Sequence, residues 1–263
     1  MNLEIAHAQH LARPRGASSA AERPRVAVTG STGALGGDIA ARLAAAGIPQ
    51  LLLVRDRSRA PELPATTVVE SRYDDPRGAT LALQGIDVLL MVSASESADR
   101  LAQHEAFVDA AAAAGVAHVV YTSFQGAAPD ATFTLARDHH ATEERIKASG
   151  MAWTMLRDSF YLDFLPLLAG EDGVIRGPAS GGRVAAVARA DVARTAARIL
   201  ERPDTHRGAT YDLTGPEALS LHDVARTLTA VGGAPCASTM RRSRKRTHPG
   251  RGGRRPPGGS TPG

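Results

Sequence analysis

The chain has 263 residues, 43% of them hydrophobic, and a formal net charge of +4 that gives a sequence pI of about 9.7. No apolar run approaches the about 18 residues that cross a bilayer, and the single Cys236 excludes an internal disulfide and a CxxC metal pair. Eight of the 31 Lys and Arg residues fall within 241–263, so residues 1–240 contain 23 basic and 27 acidic residues. That part of the chain therefore lacks the basic surface that nucleic acid binding requires. We therefore expect a cytoplasmic protein without a membrane span, a metal site or a nucleic acid partner.

The first predicted strand, Val26–Thr29, follows a segment of low complexity. Residues 1–24 are rich in Ala, Ser, Arg and Pro and show no hydrophobic periodicity. We expect this segment to be a disordered leader or to result from a misplaced start.

A glycine-rich segment with the spacing G-x-x-G-x-x-G comes directly after the first strand. Gly30 permits a tight turn, Gly33 lets phosphate groups approach the backbone, and Gly36 lets the next helix pack closely on the strand. Because the N–H groups at a helix N-terminus favour a pyrophosphate, this turn predicts dinucleotide binding. The predicted cofactor contacts are Gly30, Ser31, Thr32, Gly33, Ala34, Leu35 and Gly36.

Apolar strands alternate with helical patterns from residue 25 to about residue 150. The predicted strands are Val26–Thr29, Leu51–Val54, Thr67–Glu70, Val88–Ser93 and His118–Thr122, and Asp99–Ala114 is one of the helices between them. This βαβ repetition predicts a parallel sheet that is buried on both faces. The expected fold class is therefore α/β, with a Rossmann-like NAD(P)-binding domain over residues 25–150.

Arg55 follows the second strand, about 20 residues after the last glycine, where dinucleotide-binding folds select the ribose. A guanidinium pairs with the 2′-phosphate of NADP, whereas a carboxylate accepts hydrogen bonds from the 2′-hydroxyl of NAD. Asp56 keeps NAD(H) open as an alternative, because a shift of one residue would place its carboxylate on the ribose. We favour NADP(H), with a solvated loop as the alternative role for Arg55, Arg57 and Arg59.

Two further segments end strands at the same carboxyl edge of the predicted sheet, where open α/β sheets bind their ligands. One follows the fourth strand near the expected position of the nicotinamide ribose, and an ordinary strand-end loop is its alternative role. The other ends the fifth strand. The predicted cofactor contacts are Ser93, Ala94, Ser95, Tyr121, Thr122 and Ser123.

Residues 151–235 are expected to form a small substrate lobe together with the final elements of the sheet. The predicted elements are the strand Ala152–Leu156, the helix Ala190–Leu200, the strand Thr210–Leu213 and a helix over 220–231 that Ser220 caps. Aromatic residues after the sixth strand could stack a flat acceptor, and packing in a helix core is the alternative for Phe160, Tyr161 and Phe164. The predicted substrate contacts are Phe124, Asp158, Phe160 and Tyr161.

The chain lacks the Tyr-x-x-x-Lys pair with which conventional short-chain reductases protonate a carbonyl, since Gln125 stands four residues after Tyr121. Its absence argues against an alcohol dehydrogenase, whereas a reduced quinone delocalises its charge and water can protonate it. His139 is the candidate catalytic contact, with a solvated or capping histidine as the alternative. Because the adjacent His139 and His140 would point about 100° apart on a helix, we expect no metal site there.

The composition changes abruptly near Cys236. Residues 236–263 contain no acid, no aromatic and no apolar periodicity, which predicts a basic disordered tail, with RNA binding as the alternative function. With GC-rich codons read from the third base, residues 235–263 can encode a peptide with acidic residues and helical patterning. We therefore hypothesise a frameshift near Gly233–Cys236 that leaves the substrate lobe incomplete, and resequencing the DNA tests it.

Five segments in a fixed order carry a family resemblance: Val28–Gly36, Val54–Asp56, Val92–Ser95, Val120–Ser123 and Leu156–Tyr161. Together they resemble the NmrA-like atypical short-chain dehydrogenase/reductases, and most closely the NADPH:quinone oxidoreductase branch, over roughly residues 25–233. In that family the first four segments line the cofactor. The chain departs from the branch at Arg72, where an acidic residue is frequent, and at Asp158, where Asn is common.

The resemblance implies an NAD(P)H-dependent oxidoreductase that transfers a hydride to a small quinone or similar acceptor, and we expect a homodimer. The alternative is a non-catalytic NAD(P)-binding redox sensor, because NmrA-like relatives include such proteins. A sensor would bind the dinucleotide without oxidising NADPH. A nucleic-acid-binding protein is the third hypothesis, and it predicts loss of function when the tail is removed.

Overall fold

The computed structural model describes residues 25–177, 179, 181–233 and 235–240. The predicted leader, residues 1–24, and residues 241–263 of the predicted tail lie outside the described residues. The strands are β1 Val26–Thr29, β2 Gln50–Val54, β3 Thr66–Glu70, β4 Val88–Met91, β5 His118–Phe124, β6 Ala152–Asp158, β7 Val174–Gly177, β8 Arg183–Val184, β9 Ala209–Leu213, β10 Leu219–Ser220 and β11 Ala237–Met240. The helices are α1 Ala34–Ala45, α2 Pro76–Ala82, α3 Arg100–Ala113, α4 Thr134–Ala148, α5 Arg189–Glu201 and α6 Leu221–Gly232.

Seven strands form a parallel sheet in the order β3-β2-β1-β4-β5-β6-β9. The order reverses between β1 and β4, which is the switch point where such sheets bind ligands at the carboxyl ends of their strands. Every residue of β1, β2 and β4 is buried, as a sheet with helices on both faces requires. The predicted Rossmann-like α/β fold is confirmed.

Two apolar cores lie on opposite faces of the sheet. One contains Ile39 and Leu43 of α1 with Val192 and Ala196 of α5, and these two helices pack on each other. The other contains residues of α2, α3 and α4, with Phe107 at its centre. In the described part of the chain, no helix is both long enough and apolar enough to cross a membrane.

β4 ends at Met91, two residues before the predicted end at Ser93. The reason is that side chains take over the backbone N–H groups beyond it: Val92 donates to Thr29 Oγ1 at 2.8 Å and Ser93 donates to Thr122 Oγ1 at 2.9 Å. The segment after β4 is therefore held by side chains rather than by the sheet.

β5 and β6 each continue two residues beyond the predicted ends, and they pair as far as Phe124 and Asp158. The longer strands bring Phe124 and Asp158 side by side at the carboxyl edge. Strand pairing overrides the local sequence here, because Ser123 and Arg157 gave no strong strand signal.

A smaller lobe is built from the segment between β6 and β9 and from the residues after β9. Its core contains Leu165, Ile175, Ala186, Val224 and Ala225, covered by two short sheets in which β7 pairs with β11 and β8 pairs with β10. The predicted cap of α6 is confirmed, since Ser220 and Asp223 form a reciprocal capping box.

The predicted start of the disordered tail at Cys236 needs correction. Residues Ala237–Met240 form β11 parallel to β7, and Cys236 donates its N–H to Thr229 Oγ1 at 2.8 Å. A composition without apolar periodicity misses this strand, because the free edge of β7 supplies the backbone partners that define it.

Candidate cofactor and acceptor site

A cleft of about 440 Å³ runs along the carboxyl ends of the strands on both sides of the switch point. The turn after β1, the end of β2 and the segments that follow β3 and β4 line it. Its lining residues include Gly30, Thr32, Gly33, Arg55, Arg72, Tyr73, Ser93, Ala94 and Ser95. The structure thus brings together the glycine turn, the arginine after β2 and the segment after β4 at one cleft.

The glycine turn has the conformation that its spacing predicts. Gly30 has a φ of +66°, and a Cβ there would lie 3.0 Å from Val92 Cβ. A Cβ on Gly36 would lie 2.4 Å from the carbonyl oxygen of Gly30, so only glycine lets α1 begin this close to β1. Gly33 is exposed and N-caps α1 without a side-chain cap, and the first turn contains no acidic residue.

These features fit a bound pyrophosphate, because the N–H groups of the first turn of α1 have no side-chain acceptor and the helix dipole favours an anion. Two predicted contacts of this segment are buried: Leu35 belongs to the apolar core, and the hydroxyl of Ser31 has no hydrogen-bond partner within the described part of the chain. Helical periodicity accounts for Leu35, which faces the sheet while Ala34 is exposed.

Arg55 lies exposed in the cleft, whereas the carboxylate of Asp56 turns onto its own loop. Asp56 Oδ1 accepts hydrogen bonds from the backbone N–H of Ser58 at 2.9 Å and from its hydroxyl at 2.7 Å, and these bonds lower the pKa of Asp56. Arg57 donates to Val68 O at 2.6 Å. Of these two neighbours, the side chain that lines the cleft is therefore the guanidinium of Arg55 and not the carboxylate of Asp56.

The lining of the cleft also contains a ring pair that sequence reasoning missed. Tyr73 stacks on Phe107 with ring centroids 4.2 Å apart, and its hydroxyl donates to Val92 O at 2.8 Å and lies 2.8 Å from Thr29 Oγ1. Burial raises the pKa of Tyr73, so the phenol stays protonated. Arg72, which stands where the related branch frequently has an acidic residue, pairs with Asp74 at 2.9 Å.

Ser93, Ala94 and Ser95, the predicted cofactor contacts after the fourth strand, line the cleft. Both backbone polar groups of Ala94 bond to side chains of α3: its N–H donates to His104 Nε2 and its carbonyl accepts from Arg100 Nε, each at 2.9 Å. Neither Arg100 nor His104 was predicted. Their spacing of four residues on a helix, directly after a predicted cofactor segment, was the available signal.

Tyr121, Thr122 and Ser123, which were predicted to contact the cofactor, are not among the residues that line the cleft. All three side chains are buried within the protein. Tyr121 bonds to His139 and Thr122 to Ser93, while Ser123 donates to Glu143 at 2.5 Å. Because strand side chains alternate between faces, Tyr121 and Ser123 point under α4 rather than towards the cleft.

His139, the candidate catalytic contact, is also buried, and its ring nitrogens bond to side chains within the protein. Its Nδ1 lies 2.9 Å from the hydroxyl of Tyr121 and its Nε2 lies 3.1 Å from Arg100. Burial, followed by the charge of Arg100, lowers the pKa of His139 to about 3, and the imidazole is neutral at physiological pH. The described residues include no cluster of three or more His, Cys, Asp or Glu side chains that could hold a metal ion.

Three phenylalanines form an exposed aromatic surface at the carboxyl edge of β5 and β6. Phe124 meets Phe160 edge-on at 5.2 Å and Phe133 at 5.4 Å, and Phe160 and Phe133 are half-exposed. Phe124 and Phe160 were predicted, whereas Phe133 was missed. Tyr161 instead packs against the core, which is the alternative that the sequence left open.

Asp158 lies next to Phe124 across the strand pair and is 3% exposed. Its Oδ2 accepts a hydrogen bond from Tyr161 at 2.7 Å, while its buried Oδ1 has no partner in the described part of the chain. Burial raises the pKa of Asp158 to about 7, so the carboxyl group is protonated in a large fraction of molecules at neutral pH. In that form it can donate a hydrogen bond, which a carboxylate cannot.

Residues 30–203 match the NAD(P)H-binding family. Quinone oxidoreductase 2 of Escherichia coli K12 is 36% identical over 216 residues, covering 79% of this chain and 74% of the relative. The NAD(P)H azoreductase of Xenophilus azovorans is 34% identical over 215 residues, covering 80% and 74%. A solved structure of NADPH-dependent quinone oxidoreductase from E. coli complexed with NADPH aligns with a TM-score of 0.73 and 35% identity, covering 82% of this chain and 77% of that chain. The chain therefore belongs to the NAD(P)H-binding family and, like these relatives, to the NAD(P)H-dependent oxidoreductases.

Proposed function

We propose that this chain uses NADPH to reduce a small quinone or a similar flat, conjugated acceptor. The observation that carries the proposal is a single cleft in which the uncapped N-terminus of α1 and the exposed Arg55 lie along the same sheet edge. The relatives support the class of acceptor, since one is named for quinones and another for azo compounds. Both are conjugated electron acceptors.

Three parts of the cofactor have a matching group on the chain. The first-turn N–H groups of α1 would hold the pyrophosphate, and Arg55 would pair with the 2′-phosphate that distinguishes NADP from NAD. The Ser93–Ser95 segment would support the nicotinamide ribose. The side chain of Asp56 is engaged by Ser58, which favours NADPH over NADH.

The aromatic surface of Phe124, Phe133 and Phe160 would align a flat ring at the nicotinamide end. NADPH supplies the hydride when it is bound. The chain contributes position and one proton: hydride and proton add to the acceptor, and protonated Asp158 would donate to the oxygen or nitrogen that becomes negative. The exchange leaves NADP⁺, a reduced acceptor and the Asp158 carboxylate, which water reprotonates.

The test is NADPH oxidation followed by absorbance with a small benzoquinone, after subtraction of the uncatalysed reaction, in parallel with NADH. We expect quinone-dependent turnover that is faster with NADPH. Tight NADPH binding by fluorescence titration without turnover, with quinones and with an azo dye, would instead support the redox-sensor alternative.

The proposal also includes a cytoplasmic location and a homodimer. Light scattering coupled to size-exclusion chromatography measures the mass of the assembly directly. A mass near 27.4 kDa, that of a single chain, would contradict the homodimer and leave the reaction unaffected.

A further inference from the structure

We propose that Arg100 and His104 position the Ala94 backbone for the nicotinamide cofactor, with His139 and Tyr121 fixing the orientation of Arg100. These four side chains form a buried brace beneath the cleft. The inference rests on the cleft being the NADPH site of the proposed function. None of the four touches the cofactor in this proposal, so they are positioning residues.

The brace replaces the sheet where the sheet stops. β4 ends at Met91, so Ala94 has no strand partner. Its N–H donates to His104 Nε2 and its carbonyl accepts from Arg100 Nε, both at 2.9 Å. Arg100 is 2% exposed and His104 is fully buried, so water cannot substitute for either contact.

Arg100 has further bonds that orient its guanidinium. One terminal nitrogen lies 3.1 Å from His139 Nε2, and the other lies 3.4 Å from Asp138 Oδ2. Asp138 and His139 are neighbours on α4, so the guanidinium joins α4 to the segment after β4. A buried charge with three partners has one low-energy position.

The contacts also determine which ring nitrogens carry protons. Arg100 can only donate, so His139 Nε2 accepts and His139 Nδ1 donates to the hydroxyl oxygen of Tyr121 at 2.9 Å. His104 Nε2 accepts from Ala94, so its Nδ1 donates to Thr142 Oγ1 at 3.1 Å. Thr142 in turn donates to Asp138 O at 2.8 Å.

Both imidazoles must therefore be neutral for the brace to form. Burial, with the charge of Arg100 as the second cause, lowers the pKa of His104 and of His139 to about 3. Because the brace already holds the Ala94 backbone, less conformational entropy is lost when NADPH binds. The brace therefore increases the affinity for NADPH without an added contact to it.

The experiment compares His104→Gln with His104→Leu. A glutamine can accept the hydrogen bond from Ala94, whereas leucine leaves the buried N–H without an acceptor. We expect His104→Leu to raise the Kd for NADPH, measured by nicotinamide fluorescence in the absence of acceptor, about tenfold. His104→Gln should stay within about twofold of wild type, and the KM for a benzoquinone at saturating NADPH should change little in either.

His118→Leu is the matched control. His118 is equally buried and bonds to Thr154 at 2.8 Å, but it begins β5 at the opposite end of the sheet. It should lower stability without changing the Kd for NADPH. An unchanged Kd in His104→Leu, or equal weakening in both histidine-to-leucine variants, would overturn the inference.

Thr142→Val supplies a second measurement if His104→Leu does not fold. It removes the acceptor of His104 Nδ1 and keeps the shape of the side chain, and we expect it to raise the Kd severalfold. An unchanged Kd for NADPH in Thr142→Val would count against the brace. Quinone turnover by wild type is read separately, so failure of the brace leaves the proposed reaction standing.

Discussion

The hydroxyl of Tyr161 donates to Oδ2 of Asp158 at 2.7 Å, while Oδ1 of the same carboxyl group is buried without a hydrogen-bond partner among the described residues. The burial raises the pKa of Asp158, and the bond from Tyr161 opposes it by stabilising the carboxylate. Two opposed effects therefore set the protonation of a group beside Phe124.

Asp158→Asn should change the pH dependence of quinone reduction. In wild type the donor form of Asp158 is present below its pKa of about 7, so kcat should fall as the pH rises from 6 to 8. An amide can donate a hydrogen bond but has no acidic proton to transfer, so in the variant water must supply the proton, and we expect a lower kcat at pH 6 and a flat profile. Tyr161→Phe removes the hydrogen bond that lowers the pKa of Asp158, so in this variant the fall in kcat should move to higher pH. Identical profiles in wild type and Asp158→Asn would contradict the role.

Arg55→Ala should reduce the preference for NADPH. The 2′-phosphate would lose its charge-assisted partner, and we expect kcat/KM for NADPH to fall about tenfold, while kcat/KM for NADH stays nearly constant. Arg57→Ala is the control, because its guanidinium bonds to Val68 O and it does not line the cleft. An equal fall for both cofactors would show that Arg55 does not select the phosphate.

Phe160→Ala should weaken acceptor binding without affecting the cofactor. It removes a half-exposed ring that contacts Phe124 and Phe133, and we expect the KM for a small benzoquinone to rise about tenfold with an unchanged Kd for NADPH. Leu167→Ala truncates an apolar side chain that is more exposed and outside the three-ring surface, and its KM should match wild type. Equal KM values in the two variants would place the acceptor elsewhere.

Acid should destabilise the fold through three buried histidines. The pKa values of His104 and His139 are lowered to about 3 and that of His118 to about 4, whereas unfolded histidine titrates near 6.5. The unfolded chain therefore binds more protons as the pH falls below 6.5, and the free energy of unfolding should drop by on the order of 2 kcal/mol per histidine by pH 5.

Asp158 acts in the opposite direction, because its raised pKa lets the folded state bind a proton between pH 7 and 3.8. One carboxyl group offsets only part of the effect of three histidines. Urea unfolding at pH 7 and pH 5 measures the balance, with His118→Asn expected to reduce the difference. Equal free energies at the two pH values would disprove the histidine contribution.

Removal of residues 241–263 should leave quinone reduction intact and weaken binding to polyanions, since that segment contributes eight basic residues. Removal of residues 237–263 should also lower the melting temperature, because it deletes β11 and its pairing with β7. The two truncations together test the nucleic-acid hypothesis. Loss of reductase activity in the shorter deletion would favour a functional tail.

The cofactor half of the site could be predicted because its chemistry is local. The spacing of Gly30, Gly33 and Gly36 specifies a turn that only glycine can make, and Arg55 follows β2 at a fixed interval. The positions of Ser93 to Ser95 followed from the carboxyl ends of parallel strands. Each of these inferences uses residues adjacent in sequence or the general direction of the sheet.

The remainder depends on tertiary contacts. Tyr121 and Ser123 stand at a strand end, yet the alternation of the strand turns both towards α4. Arg100 and His104 acquire their role from the place where β4 stops, which depends on Thr29 and on Thr122 in another strand. Aromatic packing between Phe124 and Phe133 likewise depends on the loop that joins β5 to α4.

The uncapped N-terminus of α1 links the survival of the folded chain to the supply of dinucleotide. Its first-turn N–H groups have no side-chain acceptor, so a bound pyrophosphate satisfies groups that the protein alone leaves to water. A ligand at a hundred times its Kd adds about 2.7 kcal/mol to the free energy of unfolding. In a cell, proteolytic turnover of the chain would then slow when dinucleotide is abundant and quicken when it is scarce, so the amount of protein would follow the size of the cofactor pool.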